Sequence, residues 1–179
     1  MEVEKDQQNG KMTIAVGPCG GHGGESWDDG CHNGVRELTL VYGRCIDSIS
    51  IVYDDDGKPV KAEKHGGSGG SETAEIKLNY PEEYLIGISG HYGPVVRGGN
   101  PVIRSLTFKT NQRTFGPFGA LEGVPFSLPM DGGRVVGFIG RCCWFLDAIG
   151  FHLSPKEAMT ITKRIQLWLK RSLEPKNTK

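Results

Sequence analysis

One six-residue pattern occurs three times in this chain, and it limits the folds open to it. Ile46-Asp47-Ser48-Ile49-Ser50-Ile51, Ile103-Arg104-Ser105-Leu106-Thr107-Phe108 and Leu146-Asp147-Ala148-Ile149-Gly150-Phe151 each read apolar, charged, small, then strand-like alternation. A second feature travels with it. Gly20-Gly21-His22-Gly23-Gly24 matches Gly66-Gly67-Ser68-Gly69-Gly70, and Gly98-Gly99 reads as a worn third copy. The body is therefore expected to be three versions of one unit, each a glycine loop plus a strand opening on a charged residue. The charge is aspartate in the first and last copies and Arg104 in the middle one. At most two copies can share an aspartate-based chemistry.

The rest of the body, residues 13–155, agrees with an all-β domain. Short alternating runs (Leu38 to Tyr42, Ile49 to Tyr53, Ala74 to Leu78, Ile103 to Thr110, Val135 to Ile139, Ala148 to Leu153) are separated by turn signals, among them Asp54-Asp55-Asp56-Gly57. Glycine, with 27 copies in 179 residues, is about twice its usual ~7% and has no collagen period. Close-spaced strands and turns mean a barrel, sandwich or prism. The 21 basic and 21 acidic residues cancel, which argues against nucleic acid as a partner, because phosphate binding needs a cationic footprint. No apolar run approaches the ~18–20 residues of a membrane span.

Residues 1–12 are polar and are expected to be a disordered N-terminal segment. They lack a basic stretch followed by an apolar core, so no secretory route is expected. The five cysteines, Cys19, Cys31, Cys45, Cys142 and Cys143, are an odd number. That favours free thiols in a reducing compartment, the cytoplasm first and the nucleus second. Adjacent Cys142 and Cys143 would close a small strained ring if paired. Reactive thiols need an electropositive setting, and Arg141 is a single basic neighbour, so this pair reads as buried or inert. Cys19 with His22 and Cys31 with His32 resemble metal spacing only superficially, and neither a metal nor another cofactor is expected.

Residues 156–179 are expected to form a basic amphipathic helical extension. Ser154-Pro155-Lys156-Glu157 has the cap, first-turn proline and glutamate of a helix start. Ile161, Ile165, Trp168, Leu169 and Leu173 fall on one face, with Lys163, Arg164, Lys170 and Arg171 opposite. From Lys156 onward, seven basic and two acidic residues leave a net charge of +5, so the neutral chain carries −5 before it. Such a helix packs on its own sheet or on a second subunit of a homo-oligomer. The other reading is contact with an anionic membrane or a recruiting partner.

An aspartate beside a glycine loop has a definite chemistry. The carboxylate accepts hydrogen bonds on both oxygens, a turn entering a strand leaves N–H groups outside the ladder, and a glycine lets a further amide approach closely. Sugar hydroxyls, which both donate and accept, suit that array. The competing reading is that Asp47 and Asp147 cap turns. Glycosidase chemistry needs two carboxylates across the scissile bond; each copy offers one, so an enzyme is not expected.

The motifs Gly20 to Gly24, His65 to Gly70, Tyr84-Leu85-Ile86-Gly87-Ile88, Phe115-Gly116-Pro117-Phe118-Gly119, Pro125-Phe126-Ser127-Leu128-Pro129 and Gly140 to Gly150 make Thr13 to Pro155 similar to the jacalin-related plant lectins. The resemblance implies a β-prism I fold of three four-stranded Greek-key sheets with pseudo-threefold symmetry, and sugar binding without metal or catalysis. The uncut run into Val16-Gly17 resembles the mannose/glucose-specific branch; the galactose-specific branch is cut to free a glycine amine. The resemblance further implies a first site at Gly24, Trp144, Phe145 and Asp147, and a second at Gly70, Arg44, Cys45 and Asp47. Cys143 departs from the family's Gly-x-x-x-Asp motif. If its backbone is left-handed, the side chain costs ~1–2 kcal/mol and weakens the first site. That departure and the basic extension both favour an alternative function, a protein-interaction module with a degenerate sugar site.

Overall fold

The computed structural model describes residues 12–129 and 132–155, and every regular element among them is a β-strand. The expected disordered segment, Met12 apart, and the expected basic helix fall outside the described residues. In chain order the strands are β1 (Ile14–Gly20), β2 (Glu25–Asp28), β3 (Gly34–Tyr42), β4 (Ile46–Asp55), β5 (Lys58–Lys61), β6 (His65–Gly66), β7 (Glu72–Lys77), β8 (Leu85–Pro94), β9 (Pro101–Thr110), β10 (Thr114–Gly119), β11 (Val124–Pro129), β12 (Gly133–Cys142) and β13 (Leu146–Pro155).

They form three antiparallel sheets. One runs β1-β13-β12-β2, so both ends of the domain meet in it; the second runs β10-β9-β8-β11; the third runs β5-β4-β3-β7, with β6 also on β4. Each sheet is built on a central hairpin: β12–β13, β8–β9 and β3–β4. The register makes the threefold relation explicit. Gly20 faces Ala148, Gly119 faces Ser105 and Gly66 faces Ser48, each one residue beyond Asp147, Arg104 and Asp47. All three hairpins slip register at equivalent places, between Val41 and Tyr42, His91 and Tyr92, and Arg141 and Cys142. Such bulges raise local twist.

The third sheet departs from the expected four strands. β5 pairs with residues 52–55 of β4 and β6 with residues 48–49. Together they occupy the edge that β1 and β10 cover as single strands, each irregular midway. The fifth strand is a broken fourth one. A two-residue turn joins β4 to β5, with Asp56 at φ 49° and Gly57 at φ 83°, the left-handed pair of a tight hairpin. Asp54, read as part of that turn, is instead a buried ladder residue. It is ion-paired with Arg36 and accepts from the Gly57 N–H at 3.1 Å. Ser154 and Pro155, read as a helix cap, are likewise strand residues opposite Arg134 and Gly133.

The alternation in the three repeats decides the core. Ile46, Ile103 and Leu146 form one layer, Ile49, Leu106 and Ile149 the next, and Ile51, Phe108 and Phe151 a third, all buried. Fully burying such a side chain contributes ~1.5–3 kcal/mol. At the next level the symmetry turns polar. The Tyr53 hydroxyl donates to Asp29 and accepts from the Phe138 N–H, while the Thr110 hydroxyl donates to buried Glu83. Bonds from Arg113, outweighing burial, hold Glu83 down at about 2.

The edge strands end on left-handed glycines, Gly20 at φ 139°, Gly66 at φ 109° and Gly119 at φ 86°. A Cβ on them would stand 2.4 Å from the Asp147 carbonyl oxygen, 2.2 Å from that of Asp47 and 2.3 Å from that of Arg104. Gly57 has open space around it. Gly66→Ala is expected to destabilise the domain by at least ~2 kcal/mol, combining strain and overlap, and Gly57→Ala by only ~1 kcal/mol. Urea denaturation of the two variants measures the difference.

Candidate functional site

Behind each of those glycines the chain turns over the charged residue of the adjacent strand. The Gly21 N–H donates to the Asp147 carbonyl at 2.8 Å, the Gly67 N–H to Asp47 at 2.9 Å and the Ala120 N–H to Arg104 at 2.9 Å. Three equivalent positions therefore stand around one rim, each formed by a central hairpin and the loop of its own sheet. Each loop also touches a neighbouring hairpin. The backbone of Gly21 lies against Pro101 and that of Gly67 against the Trp144 carbonyl.

At two of the three positions the charged residue is a carboxylate. Asp147 is 6% exposed and Asp47 is 5% exposed. A Cβ at Gly23 would stand 2.7 Å from Asp147 Oδ1, and one at Gly69 2.4 Å from Asp47 Oδ1. Only loops without side chains can lie this close. Burial pushes both carboxyl groups above the ordinary aspartate range; for Asp147 this outweighs the Cys143 N–H and the charge of Arg141, which pull the other way. Asp147 Oδ2 is buried and has no hydrogen-bond partner. Such an acceptor, left without a donor, is costly.

The third position is filled by the protein itself. Arg104 is buried, and its guanidinium donates to the Arg44 carbonyl at 2.8 Å, the Pro94 carbonyl at 2.7 Å and Glu122 Oε2 at 2.5 Å. Glu122 lies in the loop from Ala120 to Gly123, between β10 and β11, which is the true counterpart of the two glycine loops. Gly98 and Gly99, read as the third glycine loop, belong instead to the β8–β9 hairpin.

The hairpin loops complete the two open positions. Residues 143–145 lie between β12 and β13, and residues 43–45 between β3 and β4. The Trp144 and Phe145 N–H groups, like those of Arg44 and Cys45, therefore stand outside the strand ladder. The Trp144 side chain is 77% exposed at the rim. Cys45 is buried, which pushes its thiol up to about 11, and the Arg44 side chain reaches away to the Val95 carbonyl at 3.2 Å. Only the backbone of these two can serve the second position.

The expected strain at Cys143 is absent. Asp56 is the only non-glycine residue with positive φ among the described residues. At the matching position of the other hairpin, Gly43 also has ordinary φ, and a Cβ there would meet only Ser71 at contact distances of 3.6 Å and beyond. Both loops close alike, with the Cys143 N–H donating to the Phe145 carbonyl at 3.1 Å and the Gly43 N–H to that of Cys45 at 2.9 Å.

One residue that the motif reading passed over, Arg141, holds the first loop in place. Its Nε donates to the Gly23 carbonyl at 2.9 Å and its Nη2 to that of Gly24 at 2.7 Å. The equivalent residue of the second position is Val41, so that loop lacks the clamp. Around Asp147 the surface opens into a pocket of about 480 Å³, walled by Gly24, Cys143, Trp144 and Phe145 and by Val95, Val96 and Asn100 of the next hairpin. The arrangement offers one ionised acceptor pair, several main-chain donors and an apolar flank. It suits a neutral polyhydroxyl ligand. No cluster of three metal-ligating side chains occurs among the described residues.

Comparison with known proteins agrees with this geometry. Residues 16–152 match the family profile described as the Jacalin-like lectin domain. Jacalin-related lectin 19 of Arabidopsis thaliana is 58% identical over 163 residues, covering 90% of this chain and 93% of that protein. The galactose-specific lectin of Morus indica is 43% identical, covering 85% and 99% respectively. A mannose-specific jacalin-related lectin from Morus nigra, solved in complex with mannose, superposes with a TM-score of 0.77 at 47% identity, covering 84% of this chain and 99% of that one.

The raised carboxyl of Asp147 sets a stability test. Between the ordinary aspartate value of ~3.9 and its own higher value, the native state keeps a proton that the unfolded chain has lost, so its contribution falls as pH rises through that window. Asp147→Asn removes the ionisation. It is expected to raise the thermal midpoint at pH 7, by an increment that shrinks as the pH falls through that window and vanishes below ~4. Thermal melts across pH 3.5–7 check both the sign and the window.

Proposed function

This chain belongs to the jacalin-related lectins, a carbohydrate-binding and non-enzymatic family, and from that premise we propose that it binds mannose- or glucose-type glycans at Asp147 without a metal. The observation that carries the reading is the Asp147 side chain in the wall of the pocket, with one oxygen that no protein donor reaches. Two adjacent sugar hydroxyls donate to the carboxylate, while their oxygens accept from the Gly24, Trp144 and Phe145 N–H groups. Bonds to a charged acceptor are stronger than neutral ones. A hexose that donates to Asp147 favours its ionised form, so affinity falls as the pH drops through the raised carboxyl value.

The preference for mannose rests on the mannose-bound Morus nigra relative. The Morus indica relative, named for galactose, makes methyl galactoside the necessary control. Asp47, with Gly70 and the Arg44 and Cys45 amides, forms a second and weaker site of the same kind, since it lacks the arginine clamp. Monosaccharide affinity on the order of 1 mM (~4 kcal/mol) leaves useful strength to avidity, through the paired sites and a homo-oligomer. The odd number of cysteines, five, supports a reducing location, in the cytoplasm. The alternative, an interaction module with a degenerate sugar site, drew on strain at Cys143, which the backbone does not carry, and on the basic extension, which lies outside the described residues.

Isothermal titration with methyl α-mannoside tests the reading. We expect saturable heat, a larger response than with methyl α-galactoside, loss of the stronger site in Asp147→Asn and of the weaker one in Asp47→Asn. Cys143→Gly is expected to change the affinity by less than ~2-fold, since no strain is relieved. Folded protein that gives no heat with either sugar overturns the proposal.

A further inference from the structure

Of the five cysteines, only Cys143 is exposed; Cys45 is buried and the other three are half-buried. Burial also raises the thiols of Cys19, Cys45 and Cys142, which disfavours their reactive thiolates. Of the pair read as buried or inert, Cys142 is half-buried with a raised thiol, whereas Cys143 is exposed. Cys143 stands in the wall of the pocket that holds Asp147. A second observation marks the same pocket as a ligand site, namely the unpartnered and buried Asp147 Oδ2. The matching position at Asp47 is Gly43, so one of the two open positions carries an accessible thiol and the other has none.

We propose that Cys143 is a reversible thiol-modification site, and that a mixed disulfide formed there closes the Asp147 position while leaving the Asp47 position open. The reagent class is a small disulfide such as oxidised glutathione. The Cys143 thiolate attacks one sulfur of the disulfide and a new S–S bond forms. The old S–S bond breaks, and the departing thiolate takes up the proton that Cys143 gave up. Excess thiol reverses the step by the same route. The adduct is as bulky as a hexose and sits on the pocket wall; a glutathionyl group also brings net negative charge beside Asp147. The outcome is a protein of two binding positions in reducing conditions and one in oxidising conditions.

The inference rests on the carbohydrate reading of Asp147, so the test separates the two. The full chain carrying Asp47→Asn, in which only the Asp147 position titrates, is treated with oxidised glutathione. Occupancy of Cys143 is read by peptide mass spectrometry, and methyl α-mannoside binding is measured before treatment, after it, and after dithiothreitol. We expect binding before treatment, at least a tenfold loss after it, recovery on reduction, and no loss in the same protein also carrying Cys143→Ser. Absence of binding before treatment sinks the carbohydrate reading. Binding that survives full modification of Cys143, failure of Cys143 to take up the adduct, or an equal loss in the Cys143→Ser protein overturns the inference itself.

Discussion

A main-chain contact made three times governs this molecule. Where each edge strand ends, a left-handed glycine without a Cβ rests against the carbonyl of the charged residue next door, and the following N–H donates to that same carbonyl. No side chain takes part, so the contact is indifferent to whether the charged residue is Asp147, Asp47 or Arg104. It also leaves that residue's side chain uncommitted. The scaffold thus fixes where a charge stands at the rim and leaves open what the charge does.

What it does depends on the loop opposite. Glycines at residues 23 and 24, and at 69 and 70, bring bare backbone to within contact of a carboxylate and supply it with nothing to accept from. Burial then raises both carboxyl groups and leaves Asp147 short of a donor. Around Arg104 the loop carries Glu122, whose side chain closes an ion pair over the same place. The same frame holds two buried carboxylates, one of them with an unsatisfied oxygen, and one satisfied cation. The raised carboxyl groups cost stability at neutral pH, and the unsatisfied oxygen of Asp147 is the physical reason to look there for a ligand.

Much of this was legible in the sequence, because a threefold repeat with strand alternation leaves few arrangements. The aspartates, their glycine loops and the inward Ile, Leu and Phe layers lay in the pattern itself. The errors have particular causes. Gly98-Gly99 has the look of the glycine loops, but the loop that does their work, Ala120 to Gly123, had lost its first glycine and gained Glu122, so composition pointed to the wrong segment. Ser154-Pro155 reads as a helix cap when only neighbours along the chain are counted; pairing with Arg134 and Gly133 overrides that local preference. The strain expected at Cys143 was inferred from a glycine in a motif, and glycine there answers to no positive φ. Arg141 lies inside the Gly140 to Gly150 motif, but its clamping role emerges only when β2 and the first loop fold against β12.

The hairpin that carries Trp144 belongs to both open positions at once. Its amides face the pocket of Asp147, while the Trp144 carbonyl forms the surface on which Gly67, the root of the other loop, is seated. A ligand that draws this hairpin toward itself at one position therefore shifts the footing of the other. Linkage makes any such influence reciprocal, equal in free energy in both directions. Occupancy of neighbouring receptors on a branched glycan would then be set jointly, by a piece of backbone common to both.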